Sequence, residues 1–140
     1  MDLHCAIYYG ELEAAEEFIR SGIDVNAKDD LGNVPLSRAL YDWHFRLAKL
    51  LIEFGANVNS VNDNGISLLN EAIIDNNVHA VDFLIRHGAD PNLKSNSILP
   101  LDHALTHNYT NIVQTLSENG GSSDRMRISG RRRDREDEED

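Results

Sequence analysis

The sequence predicts an all-α solenoid of four stacked helix pairs with extended turns projecting from them, and three observations carry that prediction. Gly22, Gly55 and Gly88 lie 33 residues apart, and Gly120 follows 32 later. Ala6, Ala39, Ala72 and Ala104 keep the same register, as do Leu3, Leu36, Leu69 and Leu101. The connectors "GIDVNAKDDLG", "GANVNSVNDNG" and "GADPNLKSNS" repeat one punctuation, and the shorter last one accounts for the step of 32. Self-similarity at such a period marks an array of stacked units, each too small to bury its own apolar face.

Each unit reads as two helices and a loop. In "PLSRALYD", Pro35 suits the first helical turn because its φ is already set and it has no N–H to leave unpaired. Leu36, Ala39 and Leu40 then fall at i, i+3 and i+4, one face of a short helix. Gly10, Trp43, Asn76 and Asn108 follow in the four units, and Gly and Asn tolerate a left-handed backbone best, so the first helix should stop there. "FRLAKLLIEFG" is a longer second helix ended by Gly55. Its stripe repeats as Phe18, Leu51, Leu84 and Leu116, with Ala15, Ala48, Val81 and Val113 three residues earlier. The Asn-, Asp- and Gly-rich connector then reads as an extended turn.

The ends read as caps. Leu50 and Phe83 of the inner units become Glu17 and Thr115 in the outer ones, and Ile19, Ile52 and Ile85 give way to Ser117. Stacked units need polar outer faces where stacking stops. The array is therefore expected over 1–120, in units of about 1–29, 30–62, 63–94 and 95–120. Residues 121–140, "GSSDRMRISGRRRDREDEED", have no apolar period and read as a disordered charged tail. Its "RRRDR" has the look of a nuclear address, weakened by interleaved acids, or of a segment that folds back on the acidic body.

Charge narrows the partner class. The net charge is −11, and residues 1–120 hold 7 basic against 17 acidic groups. Such a body repels phosphate backbones and anionic lipids, which argues against nucleic acid and membrane surfaces and for a partner with a basic surface. The plainer reading is that acidity keeps the chain in solution. No apolar stretch reaches membrane-spanning length, and the N-terminus lacks the features of a secretory signal. The lone Cys5 fits a reducing cytoplasm, with the nucleus open if the source is eukaryotic.

At "GANVN", "GADPN" and "GIDVNAKD", with "LGNVPLSRA" and "ILPLDHA", the sequence resembles the ankyrin repeat family. The resemblance covers residues 1 to about 120 and implies L-shaped units, two antiparallel helices and a hairpin-like loop each. The family's Thr-Pro-Leu-His is replaced by Val34-Pro35-Leu36-Ser37, Ser67-Leu68-Leu69-Asn70 and Leu99-Pro100-Leu101-Asp102. Only Ser67 keeps a capping hydroxyl, so the other two units forgo up to roughly 1 kcal/mol each of helix capping. His4 falls at the family's structural histidine, which implies a packing role.

No catalytic constellation is found. Cys5 has no adjacent base, and there is neither a phosphate-binding glycine loop nor HExxH. His103 and His107, at i and i+4, are the sole candidate metal pair, and only as a remote alternative, because no third ligand is spaced to join them except Asp102, which is expected to point elsewhere. The chain is read as a non-catalytic module, monomeric on its own and needing no cofactor.

The resemblance implies that partners dock on loop tips and the exposed ends of the first helices. The slots before each break are Tyr8 and Tyr9, Tyr41 and Asp42, Ile74 and Asp75, and Thr106 and His107. Tyr8, Tyr41, Ile74 and Thr106 are expected in one row, with Tyr9, Asp42, Asp75 and His107 in the next. The loop candidates are Leu31, Asn33, Asn64, Ile66 and Ile98, the two isoleucines as exposed apolar tips. Tyrosines and an isoleucine beside carboxylates suit a partner offering Arg or Lys next to apolar groups; packing between units is the competing role of the tyrosines. Trp43 either rebuilds its turn or stands outward as an anchor. Asn26, Asn59 and Asn92 are read as braces of the loop backbone. Two functions remain open at this level: a scaffold or adaptor, and an inhibitor or toxin-neutralising protein that occludes a basic active site.

Overall fold

A computed structural model describes residues 2–124 and places eight helices in them: α1 (Leu3–Tyr8), α2 (Leu12–Arg20), α3 (Pro35–Tyr41), α4 (Phe45–Glu53), α5 (Leu68–Ile74), α6 (Val78–Arg86), α7 (Pro100–Thr106) and α8 (Thr110–Glu118). Each odd-numbered helix packs on the even one that follows it, and α1, α3, α5 and α7 pack in sequence as one layer. The described residues contain no sheet; the loops carry isolated antiparallel bridges, Val61 with Ser67 and Ser95 with Ile98.

Local chemistry explains where the helices end. Gly10, Trp43, Asn76 and Asn108 all take positive φ, at 73°, 63°, 49° and 57°. Their N–H groups bond back to Ile7, Leu40, Ile73 and Leu105, and the next residues' N–H groups to Ala6, Ala39, Ala72 and Ala104. These are the paired bonds that satisfy the last carbonyls of a helix. The same four alanines are buried, where a larger side chain would hold the two helices of a pair apart. At helix starts, Ser67 Oγ accepts from the Asn70 N–H, while Val34 and Leu99 provide no side-chain cap, as the sequence leads one to expect. Two further caps come from Asp2 on α1 and Asn77 on α6.

The loops are tied to one another across units. Asn26 Nδ2 donates to the Gly55 carbonyl at 3.0 Å and its Oδ1 accepts from the Asn57 N–H at 2.8 Å. Asn59 accepts from the Asp90 N–H, and Asn92 bonds the Gly120 carbonyl and the Ser122 N–H. The braces expected within loops thus also clamp each unit to the next. Loop tips stack closely as well: at Gly32, with φ 79°, a Cβ would run into the Asp63 side chain.

Packing contacts among the described residues continue past residue 120. Ser123 is buried and its hydroxyl donates to Asp102, which also accepts from the Asp124 N–H at 3.1 Å; Lys94 lies 3.7 Å from the Asp124 carboxylate. Asp102 therefore fastens residues beyond 120 onto α7, a contact that depends on the fold rather than on any apolar period. The rest of the expected tail, including "RRRDR", lies outside the described residues.

Candidate interaction groove

The first-helix layer and its loops enclose an open groove of about 670 Å³. Tyr8, Tyr9, Leu31, Asn33, Tyr41, Ile74 and Asp75 line it, so the fold brings together seven of the residues proposed from the sequence. Tyr8, Tyr9 and Tyr41 are 58%, 69% and 58% exposed, which places them on the groove wall and not between units. Tyr8 and Tyr41 close α1 and α3, two residues before the left-handed Gly10 and Trp43, and Tyr9 is the residue that caps α1.

The next slot inward holds residues the sequence reading missed: Cys5, Arg38 and Glu71, each three residues before Tyr8, Tyr41 or Ile74. An i, i+3 offset puts them on the same helix face, and that register was the available signal. The Arg38 guanidinium carbon lies 4.5 Å from the Tyr8 ring centroid and 5.3 Å from that of Tyr41. Its Nε donates to Asp42 Oδ2 at 2.8 Å. Asp42 is thus drawn back along its own helix, a correction to the expected acidic row, because a flexible arginine one turn away can reach it.

The acidic character of the groove comes instead from Asp29, Glu71 and Asp75. Glu71 accepts from Ser37 Oγ at 2.6 Å and from Asn62 Nδ2 at 3.1 Å. Burial pushes its carboxyl up from the ordinary value; those two bonds pull the other way, and the charges of Asp75 and Asp29 add to the rise. Loss of water contact likewise raises Asp75. Asp29 Oδ1 holds the N–H groups of Leu31 and Asn33, which fixes the loop at the groove mouth.

The remaining candidates lie elsewhere. Ile66 is half-buried, a correction to its reading as an exposed tip, since the Val61–Ser67 bridge beside it draws the loop inward; Ile98 is 49% exposed. Asn64 is exposed on a loop tip outside the groove, with its N–H on Asn62. Trp43 keeps the left-handed conformation and stays 56% exposed, leaning edge-on against Phe45 at 6.0 Å and on His79 at 5.2 Å. It borders a separate hollow of about 590 Å³ between α2 and α4. His107 stacks on His103 at 4.5 Å and on Tyr109 at 5.4 Å, apart from Asp75. Its Nδ1 lies 3.0 Å from the His103 carbonyl, and burial, then the His107 charge, lowers the His103 pKa. Among the described residues no three His, Cys, Asp or Glu side chains converge on a metal position. His4 Nε2 sits 2.7 Å from the Ala27 carbonyl, bracing the first loop. No helix among the described residues is long and apolar enough to cross a membrane.

A family model described as "Ankyrin repeats (3 copies)" matches residues 36–126, and one described as "Ankyrin repeats (many copies)" matches residues 3–52. No curated protein matches the sequence. The first match alone spans well over half of the chain, from α3 to beyond α8. Proteins of this kind generally mediate protein–protein interaction and are typically non-catalytic. The chain belongs to the ankyrin repeat family.

Proposed function

We propose that this chain is a non-catalytic binding module, monomeric until it meets its partner, which seats a basic protein segment in the groove of the first-helix layer. The observation that carries the reading is the coincidence of exposed Tyr8, Tyr9, Tyr41 and Ile74 with Asp29, Glu71 and Asp75 in one groove. Aromatic rings offer large rigid contact area, and carboxylates partly shielded from water favour a partner's Arg or Lys over neutral competitors. Among the described residues Arg38 is the only Lys or Arg on the groove wall, and its Nε is already on Asp42. The exposed free thiol of Cys5 on that wall suits a reducing compartment such as the cytoplasm.

The test is affinity capture from native lysate with wild type beside a Tyr41→Ala/Ile74→Ala/Asp75→Lys variant, followed by calorimetry on the purified partner. All three residues are exposed, so the variant keeps its fold. A basic protein bound by wild type and lost by the variant supports the groove; equal binding to both moves the site elsewhere. The three carboxylates also fit an inhibitor that covers a basic active site. An adaptor leaves the partner's activity intact on binding, whereas an inhibitor abolishes it.

A further inference from the structure

We propose that the arginine-rich segment 125–135 of this same chain docks in the groove between α1, α3 and α5, as a built-in competitor for the partner. The inference rests on the groove being the docking surface and adds how that surface is regulated.

Three observations carry it. The first is charge: the segment holds Arg125, Arg127, Arg131, Arg132, Arg133 and Arg135 against the single Asp134, while the groove holds Asp29, Glu71 and Asp75. The second is that these rings already accept a guanidinium, since Arg38 lies over Tyr8 and Tyr41. An arginine arriving from the tail meets the outer faces of Tyr9 and Tyr41 in the same stacking chemistry, with carboxylates beside them. The third is delivery. Ser123 and Asp124 are fastened to Asp102 on α7, so the chain leaves the described body on the helix layer that carries the groove. Neighbouring helices lie about 8–10 Å apart, so Glu71 and Asp75 on α5 are one helix away. The seven to nine residues from Asp124 to Arg131, Arg132 and Arg133 span up to roughly 23–32 Å. The acids at 136–140 follow the arginines and remain beyond the carboxylate floor, where like charges repel them.

Cys5 makes the test direct, because it is the only cysteine, is exposed and lines the groove. A nitroxide attached there broadens the NMR signals of any residue that spends time near it. In the full chain at low salt, the amides of 127–135 are expected to lose about half or more of their intensity relative to the reduced label, recovering near 1 M salt as screening shortens to about 3 Å. Neutralising the groove's carboxylates with Asp29→Asn, Glu71→Gln and Asp75→Asn restores the intensity. So does Arg131→Ser/Arg132→Ser/Arg133→Ser, which changes no described residue.

Absence of broadening at low salt overturns the proposal, as does broadening that survives either set of substitutions. Broadening that grows with protein concentration overturns it too, since the occupant would be a second copy's tail. The measurement contains no partner, so a negative result leaves the capture experiment to judge the groove independently.

Discussion

Ser37 Oγ donates a 2.6 Å hydrogen bond to Glu71 Oε2, tying α3 to α5 across the groove floor. The bond holds in place a carboxylate that burial would otherwise disfavour. Burial outweighs that bond, so the folded pKa of Glu71 is raised above its ordinary value of 4.5. Below that value both folded and unfolded chains keep the proton. Above it the unfolded chain ionises first, so stability falls until the pH passes the raised folded value. Glu71→Gln removes this loss and retains both bonds, its oxygen accepting from Asn62 and its amide donating to Ser37. The melting temperature of the variant minus that of wild type should be larger at about pH 7 than at about pH 4. A difference independent of pH would show that Glu71 titrates alike in both states.

Asn26 joins the first two units by two bonds, to Gly55 and from Asn57. Asn26→Ala should cost about 1–2 kcal/mol in urea denaturation, the worth of two partly exposed hydrogen bonds. Because stability in a stack passes between neighbours, hydrogen exchange should quicken in α1 and α2 and stay unchanged in α7 and α8. Uniform quickening along the chain would contradict a local clamp.

Trp43 holds φ 63° with a bulky side chain, at a cost of about 1–2 kcal/mol. Its ring recovers about 0.5–1.5 kcal/mol against Phe45 and His79. Trp43→Gly releases the strain and loses the contact, so the unfolding midpoint should be unchanged or raised by up to about 1 kcal/mol equivalent. A loss greater than that would assign the ring a larger packing share than its 56% exposure implies.

Ser67 caps α5 through the Asn70 N–H, and its own N–H donates to Ser95 Oγ, which in turn donates to Ser67 Oγ. Ser67→Ala should destabilise by about 1–3 kcal/mol, a cap plus a buried bond left open. At the equivalent Val34 the Ser37 N–H bonds the Val34 carbonyl at 3.0 Å and no side chain caps the helix, so Val34→Thr, which adds a side-chain acceptor, should add about 0.5–1 kcal/mol. Denaturant midpoints moving in the same direction for both variants would refute the capping account.

The unit length, the breaks at Gly10, Trp43, Asn76 and Asn108, the capping role of Ser67 and the polar outer faces were all legible in the sequence. Each follows from residues within one or two helical turns of one another, and the period then repeats the inference four times. The rows of the groove were half legible: Tyr8, Tyr41, Ile74 and Asp75 follow from helix register alone. Only the tertiary structure decided that Arg38 draws Asp42 away, that Glu71 sinks between Ser37 and Asn62, that Asn26, Asn59 and Asn92 clamp one unit to the next, and that Asp102 holds Ser123 and Asp124 on α7. Most of these contacts join residues 21 to 34 positions apart, whose distance is set by the offset between stacked units. The Arg38–Asp42 pair is local, yet which of several reachable partners a long side chain takes depends on the rings packed around it. Periodicity specifies that the units stack; the separation at which they stack determines which charges remain for a partner.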